Sequence, residues 1–189
     1  MRATGGVAIA ALLIASGCTV DPLDRLAADL DANPDSRTSA ARELADMTNR
    51  ESLERLIESF RDYPDTRETT AAALVYRGRE WKAQHPNLPK GRMNGVVTRL
   101  GEVAADRHLG ASVRAKAVWC LAEIGDRRAK PCITSAYGAD SMAVQAEVMV
   151  SLQKLGFTEE AHGMELLRNW ETVSTYDPQE RGHEEETDD

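Results

Sequence analysis

The chain has 189 residues, with 23 Lys and Arg against 31 Asp and Glu, and a net charge of −8. That length supports one domain with a substantial core, or a short array of repeats. The charge excludes broad, sequence-independent binding to DNA, whose phosphates would repel the chain. Hydrophobic residues make up 42% but aromatics only 5%, which suits helices packed closely through small side chains.

Residues 1–17 read as a targeting segment rather than part of the fold. Arg2 supplies a short positive end, and Gly5 to Gly17 an apolar run too short to span a membrane comfortably. The run ends in Ala15-Ser16-Gly17-Cys18. Small residues before a cysteine resemble the lipobox of bacterial lipoproteins. The resemblance implies cleavage before Cys18 and acylation of that residue, with two or three chains making a firm anchor. An ordinary secretory signal with an incidental cysteine is the alternative. In such lipoproteins Asp directly after the cysteine favours inner-membrane retention. Thr19 in that place implies an envelope lipoprotein at the outer membrane, facing the periplasm, if the source has two membranes.

Residues 18–34 are expected to form a tether and a capping helix, Pro22 to Asp31, with Leu23, Leu26 and Leu30 on one side. Asn33-Pro34-Asp35 breaks it. The spacing then predicts helices over 36–47 and 49–61, the second started by a capping box of Thr48 and Glu51. Asp65 and Glu68 repeat that device before a helix over 66–82. An extended loop follows around Gln84 to Gly91, whose prolines and glycine forbid a continuous helix. Beyond it the apolar spacing predicts a helix over 92–107 that buries Met93, Val96, Val97 and Leu100. Further helices are expected over 113–124, 127–137, 141–155 and 159–173. The last should carry a stripe of Ala161, Met164, Leu167 and Trp170. Residues 174–189 are expected to be a disordered acidic tail, since Asp177 to Asp189 holds seven acids and no large apolar side chain.

These helices repeat. Stacked on Arg37, Arg67, Arg114 and Gln145, the chain shows Ala40, Thr70, Ala117 and Val148 three residues on. Seven on stand Leu44, Leu74, Leu121 and Leu152. Ten on stand Met47, Arg77, Ile124 and Leu155, and eleven on stand Thr48, Gly78, Gly125 and Gly156. Glycine in three copies marks the place where the first helix of each hairpin should end. The steps between copies are 30, 47 and 31 residues, so the excess falls in the second hairpin. Val113 to Ile133, VRAKAVWCLAEIGDRRAKPCI, resembles the HEAT-like repeat of the phycobilisome-lyase type, roughly VRxxAxxALGxIGDxRAxPxLI. The resemblance implies an all-α fold, a short α-α superhelix of about four helical hairpins over 35–173, used mainly as an interaction scaffold.

No catalytic constellation emerges. His85, His108, His162 and His183 are scattered, and no nucleophile elbow or phosphate loop is present. No catalytic residue, cofactor or metal is therefore expected, and no nucleic-acid partner. A lyase-like or ligand-processing enzyme using the solenoid groove is the alternative. Cys120 and Cys132 stand nearly equidistant from the turn at Gly125-Asp126. Two antiparallel helices would hold them at similar heights, allowing a disulfide in an oxidising compartment, or else two buried thiols. Arg77, Arg79, Lys82, Lys90, Arg92 and Arg99 form a basic island around Trp81, against the single acid Glu80. Arg77, Arg79, Trp81, Lys82, Lys90 and Arg92, with Trp119 on the repeat hairpin, are the candidate partner-binding residues. Their expected partner is an envelope protein, an anionic headgroup or an anionic polymer; solvated helix ends are the plain alternative.

Overall fold

The computed structural model describes residues 21–32, 36–87, 89, 92–138 and 141–174, without the side chains of 31, 32 and 170–174. The expected signal segment, Cys18, Lys90 and the acidic tail lie outside the described residues. Within them the chain is helical and without strands. The helices are α1 (Pro22–Ala32), α2 (Arg37–Asp46), α3 (Arg50–Asp62), α4 (Arg67–Gln84), α5 (Gly95–Ala105), α6 (Ala111–Ile124), α7 (Lys130–Ser135), α8 (Met142–Lys154) and α9 (Thr158–Ser174). Short 3-10 turns at Pro64–Thr66 and Arg127–Ala129 lead into α4 and α7. The first helices of four hairpins, α2, α4, α6 and α8, stack side by side; α3, α5 and α7 form the second layer, and α9 closes the last hairpin against α8. This is the helical solenoid that the repeat implies.

The repeat columns are its core. Leu44, Leu74, Leu121 and Leu152 are all fully buried, as are Ala117 and Val148 in the neighbouring column. Thr70 occupies the same buried column because its hydroxyl donates to the Thr66 carbonyl at 3.0 Å, one turn back. Each hairpin thus buries its apolar face only by stacking on the next. At the start of the array α1 turns Leu23, Leu26 and Leu30 onto the core, as expected for a cap.

The arginine column has a structural task that recurs seven residues back. Arg37 Nε donates to the Leu30 carbonyl at 3.2 Å, and Arg67 Nε to the Phe60 carbonyl at 3.0 Å. In the fourth copy Gln145 Nε2 donates to the Gly138 carbonyl at 2.7 Å. Arg Nε and Gln Nε2 are both bonded to Cδ, so the two side chains place a donor at the same reach. Each ties the first turn of one hairpin to the end of the preceding segment, where helix carbonyls lack intrahelical donors.

The glycine column splits into two roles. Gly125 and Gly156 take positive φ values of 71° and 82° and end α6 and α8, as expected. Gly78 does not end a helix: α4 runs six residues further, to Gln84. A Cβ at Gly78 would stand 2.6 Å from Ile124 Cδ1, so there glycine permits close packing of α4 on α6. Part of the excess length in the second hairpin is therefore helix, not loop. The start signals also moved. Asn49, not Thr48, caps α3, accepting from Ser52 N at 2.8 Å. Pro64–Thr66 forms a 3-10 turn where the Asp65–Glu68 box was expected.

Two expected core residues lie outside the core. α5 begins at Gly95 behind the Asn94 cap, which leaves Met93 before the helix and exposed. The Asn94 amide also donates to the Gly78 carbonyl at 3.1 Å, fastening the start of α5 to α4. On α9, Ala161 is buried and Met164 packs on the core, but Leu167 is 60% exposed. No following hairpin covers α9 among the described residues, so its stripe is buried only over its first turns; the Trp170 side chain is outside them.

Candidate functional site

The basic island sits where α4 outruns its neighbours. The first helices run in parallel, so their carbonyl ends, which carry partial negative charge, gather along one edge. Cations on the last turns of α4 meet those ends on both sides. Arg77 reaches towards α2: it donates to the Leu44 carbonyl at 3.3 Å, Ser52 Oγ at 2.8 Å and the Asn49 carbonyl at 2.8 Å. Burial holds its guanidinium below the ordinary arginine range. It is a clamp across the turn between α2 and α3.

Arg79 and Lys82 reach the other way, towards α6. Arg79 Nε donates to the Glu123 carbonyl at 2.7 Å and its Nη2 pairs with Glu123 Oε2 at 3.0 Å. Lys82 Nζ donates to the Gly125 carbonyl at 2.7 Å, just past the end of α6. Glu123 also pairs with Lys154 of α8, so one carboxylate links three successive hairpins. Sequence order hides this, since Arg79 and Glu123 are 44 residues apart.

Between the end of α4 and the turn after α6 lies an open cleft of about 770 Å³. Ala83, Pro86 and Ile124 supply its apolar lining; Arg79, Lys82, His85, Arg127 and Arg128 supply its polar walls. Trp81 stacks on His85 with ring centroids 4.4 Å apart, and the Arg128 guanidinium lies 5.9 Å from the Trp81 ring. Arg128 is neutralised by Asp126 through Nε–Oδ1 and Nη2–Oδ2 bonds of 2.9 and 2.8 Å. Burial alone would raise the Asp126 carboxyl. The bonds from Arg128 outweigh that effect and hold it below the usual carboxylate range. Lys82 and Arg127 have no carboxylate within ion-pair distance among the described residues. Arg127 lies with its guanidinium 4.7 Å from the Phe157 ring and is exposed. The cleft therefore carries net positive charge at neutral pH.

Of the residues expected to bind a partner, Arg79 and Lys82 line this cleft and Trp81 stands beside it. Arg92 is exposed near it, its carbonyl accepting from Arg128 Nη1 at 3.4 Å. Trp119 lies apart on α6, half-buried against the core with Lys116 Nζ 4.0 Å from its ring centroid. Arg99 is committed to Glu54 and Glu102. His85, Arg127 and Arg128 escaped sequence reasoning because they look like a loop histidine and part of the repeat pattern. The signal was the register itself, which sets the residues after Gly125 beside the end of α4.

Of the two states left open for Cys120 and Cys132, a disulfide or two thiols, the structure holds two free thiols. The physical reason is the path of α7, which packs mainly on α5 instead of lying antiparallel on α6. Cys132 Sγ comes within 2.8 Å of where a Cβ on Gly101 of α5 would stand. Cys120 is buried in the core, and burial pushes its thiol pKa up to about 12. Cys132 is half-buried, and its thiol is likewise raised by burial. Among the described residues no three His, Cys, Asp or Glu side chains converge as a metal site requires. No described helix is long and apolar enough to cross a membrane.

No curated protein and no solved structure matches this chain. Residues 113–136, which span α6 and α7, match the PBS lyase HEAT-like repeat. The chain is thus a helical repeat protein whose third hairpin matches the PBS lyase HEAT-like repeat and whose other three hairpins share its buried leucine column.

Proposed function

We propose that this protein is a membrane-anchored envelope lipoprotein. In this reading it acts as a non-enzymatic scaffold and engages another envelope component through the basic cleft. The observation that carries the scaffold reading is the cleft itself: a shallow, cationic surface built from helix ends, with an apolar lining and a stacked aromatic pair beside it. Arg79, Lys82 and Arg128 are held by main-chain carbonyls and fixed carboxylates, so most of the surface is preorganised and loses little side-chain entropy on binding. An acidic protein surface, an anionic headgroup or an anionic polymer fits that chemistry. The anchor rests on Arg2, the apolar run and Ala15-Ser16-Gly17-Cys18 in the sequence. In this proposal lipids on Cys18 hold the solenoid at the membrane, the outer one where the source has two.

Cys18→Ser is the test of the anchor. The variant is expected to remain unprocessed and unlipidated, and to shift from the membrane to the soluble fraction by about ten-fold or more, as loss of a two- or three-chain anchor requires. A variant that is processed and fractionates like the parent would dismiss the lipoprotein reading. Retention of an envelope component by the parent, reduced by Arg127→Glu and by salt, is the corresponding result for the scaffold.

A further inference from the structure

The net charge is unevenly distributed. Asp177 to Asp189 holds seven acids and one arginine, which is −6 of the chain's −8. The rest of the chain is close to neutral, and its cleft exposes Lys82 and Arg127, which among the described residues have no carboxylate within ion-pair distance, Asp126 acting on Lys82 and Glu160 on Arg127 only from further off. A strongly acidic segment and a cationic cleft in one chain meet at an effective concentration set by the connecting chain, about millimolar for a short flexible linker.

The geometry permits the meeting. α9 starts at Thr158, on the edge where α6 and α8 end, as the Lys130–Glu160 ion pair and the contact of Arg127 with Phe157 show. Its 17 residues carry the chain roughly 25 Å away, at 1.5 Å per residue. Returning diagonally across two helix spacings of roughly 10 Å each needs about 30 Å. The ten residues from Thr175 to Glu184 span up to about 34 Å when extended. The acids Glu184, Glu185, Glu186, Asp188 and Asp189 then fall at the cleft, while the less charged Thr175–His183 serves as the spacer.

We propose that Glu184–Asp189 of this same chain occupies the cleft between α4 and the turn after α6, and so competes with any acidic partner. The proposal rests on the cleft being a binding surface, as above, but on no particular partner. Lys82 Nζ spends one bond on the Gly125 carbonyl and keeps two N–H groups for a carboxylate. Arg127 is the second cation. The spare edge of Arg79, held by Glu123, is a third donor.

Zero-length carbodiimide coupling of the full chain, followed by peptide mapping, tests this. It joins a lysine amine to a touching carboxylate with loss of water. The pairs Lys116–Glu68, Lys130–Glu160 and Lys154–Glu123 serve as internal controls. The expected product links Lys82 to one of Glu184–Glu186, Asp188 or Asp189, within a monomer. Its yield should fall about five-fold or more between 0.05 and 1 M salt, where the screening length shrinks to about 3 Å. Arg127→Glu should lower it about three-fold or more with the control links intact, by adding like-charge repulsion. No tail link to Lys82 while the controls form would overturn the proposal. So would tail links spread evenly over the lysines, or links found only between two copies. A Lys82–tail link in a chain that retains no envelope component would uphold this contact and reject the scaffold reading instead.

Discussion

At the scale of single residues, a side chain's role here follows from which backbone groups lack partners. The arginine column shows it most plainly. Arg67 Nε and Nη2 satisfy the carbonyls of Phe60 and Arg61 at the end of α3, at 3.0 and 3.3 Å. Bonds from a charged donor to partly buried carbonyls are worth about 1.5–3 kcal/mol. Arg67→Ala should therefore lower the melting temperature by roughly 3–10 °C, since 1 kcal/mol moves a domain of this size by about 2–4 °C. Arg67→Gln should lose less than half as much, because its Nε2 stands where Arg Nε stood, as Gln145 does in the fourth hairpin. Equal losses in thermal melts of the two variants would show that the guanidinium charge, and not the shared donor position, carries the effect. Arg77, Arg79 and Lys82 obey the same logic at the other edge. Their density in the sequence reflects α4 running on past the ends of α2 and α6 as much as it reflects a partner.

At the scale of elements, close approach is decided by glycines that the sequence presents as terminators. Gly78 lies in the interior of α4, where alanine would ordinarily favour the helix by about 1 kcal/mol. Ile124 leaves no room for the added methyl: Cδ1 and Cγ1 would lie at 2.6 and 2.7 Å. Gly78→Ala is therefore expected to destabilise by about 1–3 kcal/mol, the usual cost of overpacking. Ile124→Val, which removes Cδ1, should return part of that loss in the double variant. Urea unfolding of the two singles and the double measures the coupling. Strict additivity would mean that α4 and α6 part without cost. The same reasoning explains the cysteines: Gly101 lets α7 settle onto α5, and Cys132 goes with it.

For the whole molecule, a solenoid is held by neighbour contacts, so damage at one end should stay near that end. Leu26 of α1 is buried at the start of the array. Leu26→Ala should cost about 2–5 kcal/mol locally, as removal of a buried leucine does. Hydrogen exchange should then quicken over α2 and α3 far more than over α6 and α8. Uniform quickening along the chain would instead mark one cooperative core. The far end has a different character: Met142 and Val150 of α8 and Leu166 and Leu167 of α9 are 56–75% exposed.

The repeat itself was legible in the amino-acid sequence. The unbroken Leu44, Leu74, Leu121 and Leu152 column specifies four hairpins, because a helix with one apolar face must bury it and the recurring spacing gives each face the same neighbour. The helix bounds were legible too, within a few residues, because polar caps and prolines act locally. The site was not. Whether Arg77 clamps a turn or meets a partner depends on carbonyls 28 and 33 residues away. Arg127 and Arg128 join Lys82 only after α4 and α6 are laid side by side. Gly78 reads as a stop until Ile124 is seen against it, and Cys120 and Cys132 read as a pair until α7 is seen on α5. Those outcomes belong to tertiary packing: they depend on distances between helices, which no single helix encodes.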